Sequence, residues 1–478
     1  MNTFRIAKQT IGENAVLILC LTCFWAFHYV VFWSGSFTIG NPTADLDLTS
    51  DFTWLIAVTC NALSLLVFYL LLKARSVINF KRLSIVAFAL SSCGIALIAL
   101  RVANIGIVWD LAYLSGTVFL GMGTGIFMAC LADIISKISP QTTFTCTALA
   151  FVAGSLICLV VTVALVDTAI WITTSALPLV TALLYRKAAS TTPDPDASFF
   201  DAFSSPQGEP SLGSFLFFIA TIGVTAGIMR DMNQAPATPV AESHLFVITV
   251  LVTGACLFFL SFFAGKIKPT LLLQIVVIVI SGAFISLVLP ANESSSIAFV
   301  IHTAGFLCFV ALVWFFCTYF SERKRQGTRI FISGLLANQA GQAIGSLGYL
   351  WATSLFGSND SFLLSISIGM VYLLLVVALV FFANATRAKR NPLAEPSPDS
   401  ALVILQRIAI RNDLTPREVE IGWLIAKGDS RAKIAEDLTV SQETVKTHTK
   451  HLYQKLLIHS RKELLELIKA EAEKSAIM

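Results

Sequence analysis

The sequence predicts an all-α protein in which a bundle of twelve membrane-spanning helices precedes a small soluble domain of four helices. Of the 478 residues, 56% are hydrophobic and 13% are charged, whereas a soluble domain has about a quarter charged residues. Long apolar runs fill residues 1–385, while residues 391–478 are polar, with 13 Lys and Arg against 13 Asp and Glu. This composition argues against a single soluble globular protein and excludes an intrinsically disordered chain.

The membrane part is predicted from runs of about 20 mostly apolar residues, the length that an α-helix needs to cross the hydrocarbon core of a bilayer. Twelve such runs occur, at 15–34, 53–72, 83–101, 111–135, 144–166, 168–185, 213–231, 244–264, 270–289, 297–320, 330–355 and 361–384. No small-residue cleavage site accompanies the first run, so we interpret it as a retained helix rather than a signal peptide.

The Lys and Arg residues between the runs predict the orientation. One set of connections, together with the two ends of the membrane part, contains 18 Lys and Arg, and the alternate set contains only Arg101 and Arg230. Because cytoplasmic loops have the excess of positive charge, both termini are predicted to be cytoplasmic. The predicted location is the inner (cytoplasmic) membrane, which the chain crosses many times.

The longest polar break inside the membrane part separates it into two halves. This break, a predicted cytoplasmic loop at 186–212, divides half one at 1–185 from half two at 213–385. Six spans, a central loop and six further spans resemble the major facilitator superfamily, by topology only. The loop 73–82 keeps the family's basic residues but lacks its Gly and Asp. That departure argues against active transport and leaves the predicted MFS-like fold unaffected.

Polar and ionisable side chains inside predicted spans are costly in lipid, so each is a candidate for ligand binding. The candidates are His28 in the first span, Arg230 and Asp231 at the end of the seventh, and Asn338 and Gln342 in the eleventh. Asn338 and Gln342 share a helical face, where they line a cavity for a small polar or aromatic ligand or bond a neighbouring helix. Arg230 and Asp231 form part of a site or only mark the outer membrane interface.

The sequence contains no Gly-rich phosphate-binding loop, no nucleophile elbow and no cluster with metal-ligand spacing. We therefore predict no catalytic residues, no metal site and no cofactor, and we expect that the chain is not an enzyme. Two pairs of glycines four residues apart, Gly121 with Gly125 and Gly341 with Gly345, predict close packing of helices.

A linker is predicted at 386–412, between the membrane part and the soluble domain. It begins with Arg387, Lys389 and Arg390 and continues with a Pro- and Ser-rich stretch. The segment 401–410 is apolar enough for a short helix. This helix packs on the following domain, extends a dimer contact or merely joins the two parts.

The domain at 413–478 opens with strong helix signals. Thr415 is a good N-cap, Pro416 suits the first helical position, Glu418 completes a capping box, and Gly428 ends the helix. A short second helix over 431–438 and a tight turn over 439–441 follow. The third helix has an apolar stripe of Val445, Thr449, Leu452 and Leu456, and a fourth helix starts near 460–461.

A short helix, a tight turn and a longer helix with a basic outer face are typical of the helix-turn-helix arrangement. Segment 414–468 resembles the LuxR-type DNA-binding domain. The matching residues are Leu414-Thr-Pro-Arg-Glu418, Ile425-Ala-x-Gly428, Ile434-Ala-x-x-Leu438, Val440-Ser441, Thr444-Val445-Lys446-Thr-His448, Lys455-Leu456 and Ser460-Arg461. The resemblance implies that the domain binds double-stranded DNA as a dimer and activates or represses transcription.

The resemblance also implies that the third helix enters the major groove. Lys446, Thr447 and Lys450 lie on its face opposite the apolar stripe, and we assign them to base edges. Four residues are assigned to phosphates nearer the edge of this face: Arg431, Thr444, His451 and Lys455.

Together these parts predict a membrane-bound, sequence-specific transcription regulator whose transporter-like part senses a small molecule. No αβ receiver domain precedes residue 414, so control comes from the membrane part or from partners. The predicted partners are double-stranded DNA, the lipid bilayer, a small-molecule ligand, a second copy of the chain on DNA, and RNA polymerase. The alternatives are a true secondary transporter with a regulatory DNA-binding tail and a constitutive membrane tether for DNA.

Overall fold

In a computed structural model of the chain, all regular secondary structure in the described residues is helical. The structure describes residues 10–33, 50–74, 76–103, 107–165, 167–191, 211–232, 239–262, 269–287, 294–324, 327–357, 359–390 and 398–477. Most of the predicted central loop (192–210) and part of the predicted linker (391–397) lie outside these residues. The chain divides into two compact units: a first unit of residues 1–386, called the membrane unit below, and a second unit of residues 387–478, called the soluble unit.

The described part of the first unit contains one long helix for each predicted span. The six helices of half one are α1 (Ala15–Phe32), α2 (Ser50–Lys73), α3 (Phe80–Ala103), α4 (Ile107–Ile135), α5 (Pro140–Leu159, continued by a π-helical turn at Val160–Ala164) and α6 (Asp167–Thr191). Those of half two are α7 (Leu212–Met232), α8 (Pro239–Ser261), α9 (Pro269–Ser286), α10 (Ser294–Lys324), α11 (Gly327–Phe356) and α12 (Asp360–Arg390). The predicted all-α bundle is confirmed.

Length and composition allow ten of these described helices to cross a membrane. The two others are α9, whose apolar stretch Leu271–Ser286 is shorter, and α11, whose apolar sequence is interrupted by Asn338, Gln339 and Gln342. These three amides are buried. A helix surrounded by other helices can find hydrogen-bond partners for such amides, whereas a helix that faces lipid cannot.

The two halves meet where α2 packs against α11 and α5 packs against α8. Within half two, α7 and α11 approach closely because Gly341 and Gly345 face the backbone carbonyls of Ala220 and Val224, where a Cβ atom would overlap them. In half one, Gly121 faces the carbonyl of Ala57 on α2 in the same way. The glycine pairs therefore serve helix packing, as predicted.

The second unit contains five helices in its described residues. They are α13 (Pro398–Arg411), α14 (Pro416–Lys427), α15 (Arg431–Asp437), α16 (Gln442–Leu456) and α17 (Arg461–Ile477). α13 coincides with the short helix predicted at 401–410 and packs against α14 and α17. Leu405 and Ile408 of α13 are buried in one core with Leu452 and Leu464, so this helix is part of the folded unit.

The helix ends of the second unit follow the sequence signals. The Thr415 hydroxyl accepts from the Glu418 backbone N–H, and the Glu418 carboxylate accepts from the Thr415 backbone N–H, which closes the predicted capping box. Gly428 ends α14 with φ 96°, a left-handed conformation that favours glycine. Ser430 and Ser441 cap α15 and α16. These caps are local, which explains why the sequence predicts them correctly.

Candidate functional site

The fourth helix of the soluble unit, α16, turns its predicted DNA-binding side chains outward. Val445, Leu452 and Leu456 are buried against the rest of the unit. Lys446, Thr447 and Lys450, which lie on the other side of α16, are exposed. A buried apolar stripe therefore orients the polar face, as the 3.6-residue period requires.

Arg431 at the start of α15 joins Lys446 and Lys450 along one open groove, which also includes Tyr453 and His459. The Glu443 carboxylate lies near two of these cations, since hydrogen bonding by Lys446, together with the charges of Lys446 and Arg431, lowers its pKa. The Lys446 ammonium lies 2.8 Å from the Glu443 carboxylate, but both side chains are well exposed, so solvent weakens this pair. The groove can therefore bind an anion with three cationic side chains.

The remaining predicted phosphate contacts differ in their surroundings. His451 is exposed, whereas Thr444 is half-buried and its hydroxyl lies 2.8 Å from that of Ser441, within the N-cap of α16. Lys455 is engaged inside the unit, since its ammonium donates to the Glu418 carboxylate at 2.8 Å and to the Asp413 carbonyl at 2.9 Å. The structure thus gives Lys455 a stabilising contact that the sequence did not reveal.

The Lys455–Glu418 pair affects the ionisation of a buried carboxylate. Burial acts to raise the pKa of the Glu418 carboxyl, but hydrogen bonds from Lys455 and Thr415 outweigh it and hold the pKa below its usual value. A carboxyl group with a lowered pKa in the folded state stabilises that state at neutral pH.

We expect this stabilisation to disappear in acid. Because the folded-state pKa lies below the unfolded value of about 4.5, it is present above that pH and is lost as the pH falls through the folded-state pKa. Urea unfolding of fragment 398–478 between pH 6 and pH 3 measures it. Glu418→Gln should flatten the acid loss of stability. The exposed control Glu420→Gln should keep the wild-type profile, and an unchanged profile in Glu418→Gln would contradict the assignment.

The membrane unit has a partly open cavity of about 60 Å³ between its two halves. Side chains from α1, α2 and α4 of half one and from α8, α10 and α11 of half two line it. Four of the chain's eight tryptophans contribute: Trp25, Trp33, Trp54 and Trp314. The structure brings three predicted ligand residues, His28, Asn338 and Gln342, together at this cavity.

The other two predicted ligand residues lie beside the cavity. The Arg230 guanidinium lies 4.4 Å from the ring centre of Trp54 and 5.6 Å from that of Trp33. It also donates to the Phe32 carbonyl at 3.1 Å, so α7 of half two is tied to half one. Asp231 points elsewhere, since its carboxylate accepts from the Ser346 hydroxyl of α11 at 2.5 Å.

Sequence reasoning missed Asn61 of α2, which lines the same cavity and is only 3% exposed. Its amide nitrogen donates to the Thr124 hydroxyl at 3.1 Å. A single amide within an otherwise apolar span is the signal that identifies such a residue. That Asn61 and Asn338 line one cavity could not be predicted, because the two amides come from different halves of the bundle.

The sequence comparisons with known proteins match part of the soluble unit. Residues 412–468 match the family described as "Bacterial regulatory proteins, luxR family". The chain is 51% identical over 53 residues to the oxygen regulatory protein NreC of Staphylococcus carnosus (strain TM300), and 46% identical over 52 residues to the nitrate/nitrite response regulator protein NarL of Escherichia coli (strain K12). Each alignment covers 11% of this chain and 24% of the relative, so the chain spans about a quarter of these proteins.

Solved structures resemble the membrane unit. The human organic anion transporter MFSD10 (TETRAN) aligns with a TM-score of 0.56 at 12% identity, over 77% of this chain and 99% of that one. A bacterial homologue of the iron transporter ferroportin, in its outward-facing state, aligns with a TM-score of 0.51 at 13% identity, over 81% of this chain and 100% of that one. At such identities the likeness concerns the fold alone. Residues 412–468 therefore form a helix-turn-helix domain that matches the luxR family of bacterial regulatory proteins, and the described part of the membrane unit has a helical fold like that of these two transporters.

Proposed function

We propose that the chain is a membrane-bound, sequence-specific transcription regulator whose membrane domain senses a small molecule. The observation that supports this proposal best is the covalent union of a luxR-family domain with a transporter-like helical domain. A regulator of this kind needs a DNA-binding surface and a ligand-binding cavity. The exposed cationic groove of α15 and α16 and the cavity between the two membrane halves are the corresponding candidates.

On DNA, Lys446, Thr447 and Lys450 read base edges in the major groove. Phosphate contacts come from Arg431, Thr444 and His451, with Lys455 free to add one only through its remaining N–H. A second copy of the chain occupies the other half-site, since two linked contacts bind far more tightly than one. RNA polymerase is the further partner through which such a regulator acts.

Both termini lie in the cytoplasm and the protein resides in the inner membrane, because the luxR-family domain must reach the chromosome and the basic connections favour that side. A ligand controls the regulator by binding one arrangement of the two halves better than the other. His28, Asn338 and Gln342 contact the ligand. Arg230 of α7 ties half two to Phe32 of half one, and Asp231 ties α7 to Ser346 within half two, so both contacts influence how the two halves are arranged.

A transcriptional reporter in cells tests this proposal. The promoter next to the gene drives the reporter, and a panel of small molecules is screened for an inducer or repressor. We expect the double variant Asn338→Leu with Gln342→Leu to reduce the reporter's response to the inducer at unchanged abundance in the membrane, because both substitutions remove an amide from the cavity wall. Gln274→Leu, a matched loss of an exposed amide on α9, should respond normally. A soluble fragment 398–478 that still answers the inducer would place the sensor outside the membrane domain.

A second candidate is a secondary transporter whose tail regulates transcription. The fold likeness to MFSD10 and to the ferroportin homologue favours it. Uptake of the inducer into vesicles that contain the full chain would support the transporter. Ligand-dependent binding to the operator without uptake would support the sensor, and operator binding that ignores every ligand would support a constitutive tether.

A further inference from the structure

We infer that the cavity between the membrane halves binds an uncharged aromatic molecule of one ring with a hydroxyl group that donates a hydrogen bond. This inference rests on the proposed function and specifies the ligand class of the same cavity. It depends on the flat faces of the wall, on the charge of the lining and on buried polar atoms without partners.

The first observation is the aromatic wall. The Trp25 and Trp314 rings, from opposite halves, lie 5.7 Å apart between centres, and Trp33 stacks on Phe246 at 5.5 Å with an interplanar angle of 10°. Such rings bury large flat areas and attract a further ring in stacked or edge-to-face geometry. A flat ligand therefore gains more contact here than an aliphatic molecule of equal size.

The second observation is the charge of the lining. The described residues that line the cavity include no Asp, Glu, Lys or Arg. The nearby Arg230 guanidinium is already placed between the Trp33 and Trp54 rings and donates to the Phe32 carbonyl. Since burial of an unpaired charge in this surrounding is costly, the lining favours a neutral ligand.

The third observation is a set of polar atoms without a partner among the described residues. Asn61 Oδ1 and Asn338 Oδ1, from opposite halves, are buried acceptors of this kind, and Trp25 Nε1 and the Tyr29 hydroxyl are buried donors. All four residues line the cavity and are at most 7% exposed. An unsatisfied buried polar atom costs about 1–3 kcal/mol, which a ligand hydroxyl relieves because it both donates and accepts.

The cavity volume links this ligand to a change between the halves. An apolar cavity of about 150 Å³ binds benzene, whereas the present cavity of about 60 Å³ has room for roughly four waters. A ring therefore binds only after α1 and α2 move away from α10 and α11. The Arg230–Phe32 contact joins α7 to the end of α1, so this separation must loosen it. Such a ligand binds the separated arrangement of the two halves more tightly than the closed one, and this difference in affinity is what ligand control of the regulator requires.

Binding of phenol to the purified full chain in lipid nanodiscs tests the inference. Four tryptophans in the wall report binding through their fluorescence. We expect saturable binding of phenol, about tenfold weaker binding of anisole, which cannot donate, and no saturable signal with benzoate or cyclohexanol. Because phenol has one O–H to donate, the variant of the two, Asn61→Leu or Asn338→Leu, that removes the accepting oxygen should weaken phenol about tenfold and leave anisole unchanged. The exposed control Gln274→Leu should match the wild type, and full phenol affinity in both asparagine variants would contradict the proposed hydrogen bond.

Several outcomes would overturn the inference. Tighter binding of benzoate than of phenol would show that Arg230 selects an anion, and equal binding of phenol and cyclohexanol would remove the role of the flat walls. No saturable phenol binding by a folded chain would leave the cavity as a site for water. The proposed function is tested separately by operator binding. Saturable phenol binding with no ligand effect on the operator would refute the sensor alone, whereas control of the operator by a charged ligand would refute the ligand class alone.

Discussion

Replacement of Leu405 by alanine is expected to destabilise the DNA-binding unit by roughly 2–5 kcal/mol. Leu405 lies on α13, before the segment matched to the luxR family, and yet its side chain is 0% exposed in the core with Leu452 and Leu464. Small domains have total stabilities of about 5–15 kcal/mol, so this single change removes a large share.

The measurement is urea unfolding of fragment 398–478, followed by circular dichroism. Gln406→Ala is the matched control, because Gln406 is the exposed neighbour on the same helix and its loss leaves no cavity. A fragment that starts at residue 413 loses Leu405 and Ile408 together and should unfold at a much lower urea concentration. Equal midpoints for the two fragments would show that α13 contributes nothing to the folded unit.

The second large effect concerns DNA binding. Lys446→Ala and Lys450→Ala are each expected to cost about 1–3 kcal/mol against the preferred operator and to relax its sequence preference. Both side chains are exposed on α16 opposite its buried stripe, on the face that we propose enters the major groove. Their losses need not add, because the two residues are one turn apart on the same face.

Arg431→Ala separates base contacts from phosphate contacts. It should weaken all DNA sequences about equally and reduce the salt slope by about one, because a phosphate contact releases one counterion. Arg407→Ala, an exposed cation on α13, is the control for a general loss of positive charge. Fluorescence anisotropy with operator and random duplexes at several salt concentrations measures these effects. The same uniform loss for Lys446, Lys450 and Arg431 would contradict the assigned groove face.

Several features of the protein follow from local sequence alone. The apolar runs predict the twelve long helices, and the Thr415 capping box, Gly428 and Ser441 predict helix ends of the soluble unit that the structure reproduces. Capping involves residues within about four positions of one another, and length and apolar periodicity are properties of one continuous segment, so all three can be read without the fold. The family match of residues 412–468 has the same basis in ordered local signals.

Other features depend on contacts between distant parts of the chain. Only tertiary packing places Leu405 in the core of the DNA-binding unit, engages Lys455 with the buried carboxylate of Glu418, and brings Asn61 to the cavity that Asn338 also lines. A periodic pattern shows which face of a helix is buried, but it does not name the helix that covers that face. The partner is decided by how side chains of many helices fill the same space, and this is why the cavity and its unpaired polar atoms emerge only from the structure.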